Sequence, residues 1–208
     1  MRLYDCTPAP SPRRVRIFLA EKGLELPRVE VDLAAGEQYG TAFRAINPRC
    51  TVPVLVLDDG TALGETLAIC HYLEEVYPTP ALFGQDALQR ARVLEWNARI
   101  EVEGLLAIAE AFRNRSRGFR DRALTGPDAY AQLPELVERG RRRAEVFFDL
   151  LDAHLAATPY VVGSHYTLAD MTALVAVDFA GWIKLDIGER RHLARWHRAV
   201  SARPSAAA

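Results

Sequence analysis

Thr51-Val52-Pro53-Val54-Leu55-Val56-Leu57-Asp58-Asp59-Gly60-Thr61-Ala62-Leu63 decides the architecture of the first half of the chain. Two β-rich runs enclose an Asp-Gly turn, the pattern of a β-hairpin. Pro53 has no N–H to give to a strand ladder, so it belongs at a strand start or an edge. Directly after the hairpin, Glu65–Tyr77 takes a helical pattern with Leu67, Ile69, Cys70 and Leu73 inward, ended by Pro78 and Pro80. Upstream of it, a short helical stretch from Tyr39 to Ile46 stops at Asn47-Pro48, and Val29, Val31 and Leu33 alternate with charged residues as a strand. Ser11-Pro12 opens a helix, with Ser as N-cap and Pro in the first helical position. Val15, Phe18, Leu19 and Lys22 follow at helical spacing, and Gly23 sits where a helix stops. Leu3-Tyr4 begins the first strand. The order β-α-β-α-β-β-α implies a mixed sheet with helices packed on it.

Beyond residue 78 the strand signal ends. Pro78-Thr79-Pro80-Ala81-Leu82-Phe83-Gly84 is a linker by composition. The expected division is therefore 1–78, a connection over 79–85, and an all-helical half over 86–208. Ala87–Arg113 reads as one long helix carrying Trp96, Ile100, Leu105 and Ile108. Leu136–Leu155 puts Ala144, Phe147, Phe148, Leu151 and Leu155 on one stripe, with Arg139 and Arg141–Arg143 facing out. Leu168–Trp182 is apolar nearly all round, which marks the central helix of this half. Thr167-Leu168-Ala169-Asp170 is a capping box at its start, a structural device. Arg190 to Ser201 forms the last helix. Arg113, Arg115, Arg117, Arg120 and Arg122 read as a solvated connection between helices, or else as a rim favouring anionic co-substrates.

Composition narrows the function. The chain has 208 residues, half of them apolar, with 26 Lys plus Arg against 27 Asp plus Glu and a formal charge of −1. Intrinsic disorder is excluded by that balance. Without a basic excess a nucleic-acid partner is not expected. No apolar run approaches the roughly 20 residues that span a bilayer, and the first residues turn polar too early for a leader, so no membrane association is expected. Three cysteines at 6, 50 and 70 have no CxxC spacing and no metal-ligand pattern with the five histidines. Free thiols in a cytoplasmic protein without a metal are the expectation.

Four local patterns carry a resemblance that spans the whole chain: Pro12-Arg13-Arg14-Val15-Arg16-Ile17-Phe18-Leu19-Ala20-Glu21-Lys22-Gly23, Asn47-Pro48-Arg49-Cys50-Thr51-Val52-Pro53-Val54-Leu55, Glu65-Thr66-Leu67-Ala68-Ile69, and Thr167-Leu168-Ala169-Asp170. In this order and spacing the chain resembles the cytosolic glutathione transferase family, of bacterial type. The resemblance implies an α/β thioredoxin-like N-terminal domain (βαβαββα) followed by an all-α C-terminal domain. It also implies glutathione as co-substrate, a small electrophilic and largely apolar second substrate, and a homodimer.

Such an enzyme must hold a tripeptide still and stabilise its sulfur as an anion, because a free thiol with a pKa near 8.5 is mostly protonated at neutral pH. Helix N-termini suit both anionic tasks. By resemblance, the Val52-Pro53 bond is cis and the Val52 backbone pairs with the cysteinyl unit like an added strand. Thr66 and nearby N–H groups would take the γ-glutamyl carboxylate and Glu65 its ammonium; the alternative is that this pair only caps its own helix. Gln38 and Thr51 match positions that reach the glycine carboxylate, or are surface loop residues. Thr51 stands where Lys is common in the family, so Arg49 or Arg13 would have to supply the missing charge.

The position that often holds the thiol-activating Ser or Cys is Ala9, which has no hydroxyl. Ser11 is the candidate catalytic residue in its place, either donating to the sulfur or serving only as N-cap. Cys6, at a strand end, is poorly placed for a thiol-disulfide role. The second substrate is expected between the halves, near Ala107, Ile108, Ala111 and Phe112. Two rivals share the scaffold. A glutathione-dependent isomerase or dehalogenase differs in co-substrate, and the isomerase branch carries a Ser-Ser-Cys-like run that Ala9-Pro10-Ser11 lacks. A non-enzymatic binding module would have no need of Glu65-Thr66.

Overall fold

The structure, a computed structural model, describes all residues 1–208. It separates into one unit comprising Met1–Pro80, Thr125–Asp128 and Ala208, and a second comprising Ala81–Leu124 and Ala129–Ala207. The boundary falls inside the expected 79–85 connection. That stretch is not a solvated spacer, since Leu82 and Phe83 are buried and Leu82 C=O accepts a hydrogen bond from Leu168 N–H.

In the first unit, β1 (Arg2–Asp5), α1 (Pro10–Glu21), β2 (Arg28–Glu30), α2 (Thr41–Ile46), β3 (Val54–Val56), β4 (Ala62–Gly64) and α3 (Thr66–Val76) follow in chain order. The sheet order is β2-β1-β3-β4, with β1 parallel to β2 and antiparallel to β3, and β4 antiparallel to β3. Side chains alternate across a strand. Tyr4 and Val54, paired between β1 and β3, therefore share a face, and there Val54 packs with Val31 and with Phe43 of α2. Leu3 and Asp5 point to the opposite face. Asp5 receives Arg16 of α1 at 2.7 Å in a buried ion pair, so α1 covers that face, and α3 packs beside α1. At the other end of α1, Lys22 pairs with Glu74 of α3 at 2.6 Å and donates to the C=O of Tyr77 and Pro80. Buried pairs of this kind add little net stability, but breaking one leaves a stranded charge, so they fix how α1 seats.

One expectation about α1 is corrected. Ser11 is not its N-cap: Ala9 holds that position, with no side-chain cap, and Pro10 is the first helical residue. Pro12 lies a further two residues in, and the helix tolerates both prolines because its first-turn N–H groups have no helical acceptor anyway.

The second unit holds α4 (Ala87–Arg99), α5 (Leu106–Arg115), α6 (Glu135–Leu155), α7 (Leu168–Ala180) and α8 (Arg191–Ser201). The single helix expected over Ala87–Arg113 runs through a π-helical segment, Ile100–Leu105, that joins α4 to α5. There Gly104 faces the Phe147 ring of α6, where an added Cβ would come within 2.8 Å. Ala107, Ile108 and Ala111, expected to line a substrate pocket, are fully buried instead. Gly140 of α6 lies so close that a Cβ there would meet Ala107 O at 2.5 Å and Ala111 N at 2.8 Å. Ala107 and Ala111 are small where α5 meets Gly140, and Ile108 fills the core beside them. In the arginine run Arg115, Arg117 and Arg120 are exposed as expected, whereas Arg113 donates to the C=O of Arg122, Ala123 and Leu124, and Arg122 to that of Gly118. No helix is long and apolar enough to cross a membrane.

Candidate functional site

The site is built around the two ends of the hairpin in the first unit. Val52-Pro53 is a cis peptide. The Val52 side chain packs against the Val31–Phe43–Val54 cluster. Neither Val52 N–H nor Val52 C=O makes a hydrogen bond within the chain. A half-buried strand continuation with both groups open is a template for another extended backbone.

The loop before it is clamped by Asn47. Its Nδ2 donates to Thr51 O at 2.8 Å and to Thr51 Oγ1 at 3.1 Å, and its Oδ1 accepts from Arg49 N–H at 3.1 Å. Cys50 takes φ 55° within this turn. Thr51 thus keeps its hydroxyl proton while its oxygen is held. Arg49 lies 3.9 Å from Glu65 in a loose, exposed pair.

Across the hairpin, Val54 pairs with Gly64, so Pro53 and Glu65 stand beside each other in register. Glu65 occupies φ 64°, ψ 123°, a strained setting for a residue with a Cβ. It is the N-cap residue of α3, yet its side chain caps nothing and is 74% exposed. Thr66, the first helical residue, also leaves the helix end bare: its hydroxyl donates to Ser11 O at 3.2 Å. The first helical bond is Ile69 N–H to Glu65 O, so the N–H groups of Thr66, Leu67 and Ala68 have no acceptor in the chain. The capping alternative for Glu65-Thr66 is not what the geometry adopts, and an uncapped helix start favours an anion.

Ser11 stands next to this end. In the first turn of α1, Pro10 and Pro12 have no N–H, and Arg13 N–H bonds Ala9 O at 3.3 Å. That leaves the Ser11 N–H as the open donor of the turn, beside its own hydroxyl. Arg14, only 6% exposed, sends Nη2 to Ser11 Oγ at 3.4 Å and to Thr66 Oγ1 at 3.2 Å. The structure thus brings Ser11, Thr51, Val52, Pro53, Glu65 and Thr66 into one continuous strip. Gln38 is joined to it by no hydrogen bond. It is buried in a short turn, Glu37–Tyr39, with Oε1 inward and unpartnered.

Sequence reasoning missed Arg14 and Asn47. Arg14 was legible as a cation on the buried stripe, four residues before Phe18 and three after Ser11. Asn47 stands in the sequence as a helix stop and within a resemblance pattern with no role of its own, although an Asn before Pro is also a residue that bonds the following backbone.

Cys6 offers no competing chemistry. Burial, reinforced by the Glu30 carboxylate, pushes its thiol up, away from the reactive thiolate. In the second unit, Ser201, His197 and Asp178 have the residue types of a hydrolytic triad. Asp178 Oδ1 and Ser201 Oγ both address the same Nε2, at 2.8 and 3.4 Å, so His197 cannot relay a proton from one to the other. No group of three or more His, Cys, Asp and Glu side chains is placed to hold a metal ion.

Residues 9–76 match the model of the glutathione S-transferase N-terminal domain, and residues 106–204 that of its C-terminal domain. This chain belongs to the glutathione S-transferase family. It is 34% identical over 209 residues to glutathione S-transferase 2 of Saccharomyces cerevisiae, covering 99% of this chain and 87% of that one. A crystal structure of a glutathione S-transferase domain-containing protein from Marinobacter aquaeolei superposes with a TM-score of 0.91 at 38% identity, over 99% of both chains. A shorter stretch of 94 residues is 46% identical to maleylacetoacetate isomerase of Pseudomonas aeruginosa, 44% of each chain. The thioredoxin-like first domain and helical second domain of the family are both present. A general glutathione-dependent activity goes with that membership.

Proposed function

We propose that this chain is a glutathione transferase that adds the glutathione thiolate to an apolar electrophile. The observation that carries the reading is the open Val52 main chain beside the uncapped start of α3. The cysteinyl backbone of glutathione pairs with Val52 N–H and C=O. The γ-glutamyl carboxylate sits on the N–H groups of Thr66, Leu67 and Ala68, and Glu65 takes the adjacent ammonium. Gln38 and Thr51 serve the glycine carboxylate. The Ser11 hydroxyl and N–H stabilise the sulfur anion, since a hydrogen bond to the charged form lowers a thiol pKa.

The electrophile calls for apolar surface. In the second unit Phe112, Phe119, Phe179 and Trp182 form an edge-to-face ring cluster at centroid distances of 5.1–5.6 Å, with Trp182 half exposed. A cytoplasmic homodimer without a metal completes the proposal.

Titration of the protein with glutathione and with the dipeptide Cys-Gly tests the site. Glutathione is expected to bind in the millimolar range or tighter, and the dipeptide, lacking the γ-glutamyl unit, much more weakly. No binding of glutathione at millimolar concentration overturns the proposal. The likeness to an isomerase favours a second reading, isomerisation on the same site. Turnover separates the two, because transfer consumes glutathione mole for mole and isomerisation returns it.

A further inference from the structure

We propose that Arg14 is a positioning residue that couples the carboxylate end of the glutathione site to its thiol end. The inference rests on the glutathione reading above and extends it to a residue that touches neither end directly. Arg14 Nη2 carries two protons. One is aimed at Thr66 Oγ1 and the other at Ser11 Oγ, at 3.2 and 3.4 Å. Each hydroxyl therefore has acceptor capacity occupied and its own proton to give. Thr66 gives its proton to Ser11 O at 3.2 Å, which closes a ring between the first turns of α1 and α3. Ser11 gives its proton to no atom of the chain. A hydroxyl that accepts from a cation is a stronger donor, so Arg14 sharpens Ser11 toward a sulfur anion.

The same ring is set to respond at the other end. A carboxylate on the α3 N–H groups competes with Ser11 O for the Thr66 proton. The guanidinium stays behind both hydroxyls while that exchange happens, held by burial. A planar guanidinium can address two acceptors from one nitrogen in fixed directions, whereas an ammonium is a rotating point charge.

The test uses the full chain, glutathione titration for affinity, and the ultraviolet absorbance of the bound thiolate against pH. Arg14→Met is expected to weaken affinity about tenfold or more and to raise the bound thiol pKa by about one unit. Arg14→Lys recovers part of both. In a Ser11→Ala background, Arg14→Met adds no further pKa rise, because its route to the sulfur is gone. A folded Arg14→Met protein with unchanged affinity and pKa overturns the proposal. So does one that moves affinity alone, or one that shifts the pKa equally with and without Ser11. Should Arg14→Met fail to fold, Arg14→Lys decides, and wild-type values for it overturn the proposal. Failure of the wild type to bind glutathione sinks the underlying reading instead, a result distinct from normal binding that ignores Arg14.

Discussion

Asp170 closes the helical unit on a single carboxylate. Its Oδ2 accepts from Thr167 N–H at 3.0 Å and Thr167 Oγ1 at 3.1 Å, and its Oδ1 from Val161 N–H and Trp196 Nε1, each at 2.9 Å. The capping box expected from Thr167 and Asp170 forms, and it also anchors the loop before α7 and the buried indole of α8. Complete burial pushes this carboxyl up to about 6, against the pull of those donors. A carboxyl raised in the fold contributes stability that is fully present below its unfolded value, about 3.9, and lost as pH rises through about 6. The advantage of the wild type over Asp170→Asn should therefore shrink by about 2 kcal/mol between about pH 4 and about pH 7. Urea unfolding of both proteins across that range checks it; a constant difference excludes the coupling. Glu65 poses the opposite trade. Its positive φ costs about 1 kcal/mol or more that glycine does not pay. Glu65→Gly is expected to unfold at higher denaturant and bind glutathione more weakly. Unchanged affinity removes Glu65 from the site.

At the scale of elements, the close approach of α5 and α6 is set by one position. Alanine at Gly140 would gain about 1 kcal/mol in helix propensity. It would also place a Cβ against two backbone atoms that have no cheap way to retreat. Gly140→Ala should therefore be destabilised by about 1–3 kcal/mol net, read as a lower denaturation midpoint with the urea slope unchanged. Stability at or above the wild type would mean that the two helices part easily. The order of elements in the first unit was legible because strand and helix periods differ and Gly and Pro mark the joints. The start of α1 was misplaced by two residues, since two prolines and a serine satisfy the rules for a helix start in more than one register. The π-helical segment was not legible: Ile100–Leu105 has ordinary helical spacing, and the fit of Gly104 to Phe147 depends on a residue some forty positions away.

For the whole molecule, the family resemblance implies a pair of chains. Val102 and Leu106 are 52% and 58% exposed and four residues apart, apolar surface of the kind a second copy covers. Sedimentation over a dilution series should return twice the chain mass at micromolar concentration. A single-chain mass throughout would leave that surface to another role. The βαβαββα order, the helical second half, the family and the hairpin of the candidate site are all legible in the chain before it folds. These are written in local periodicity and in short motifs of fixed spacing. Which cation stands behind the candidate site, and which of its main-chain groups stay open, emerge only on folding. Arg13 and Arg14 are adjacent and chemically alike, and only folding α1 against α3 directs Arg14 at Ser11 and Thr66. In the same way Val52 packs its side chain with Val31 and Phe43 while its backbone stays unpaired, and pairings over such distances are made by packing, where local pattern carries no record of them.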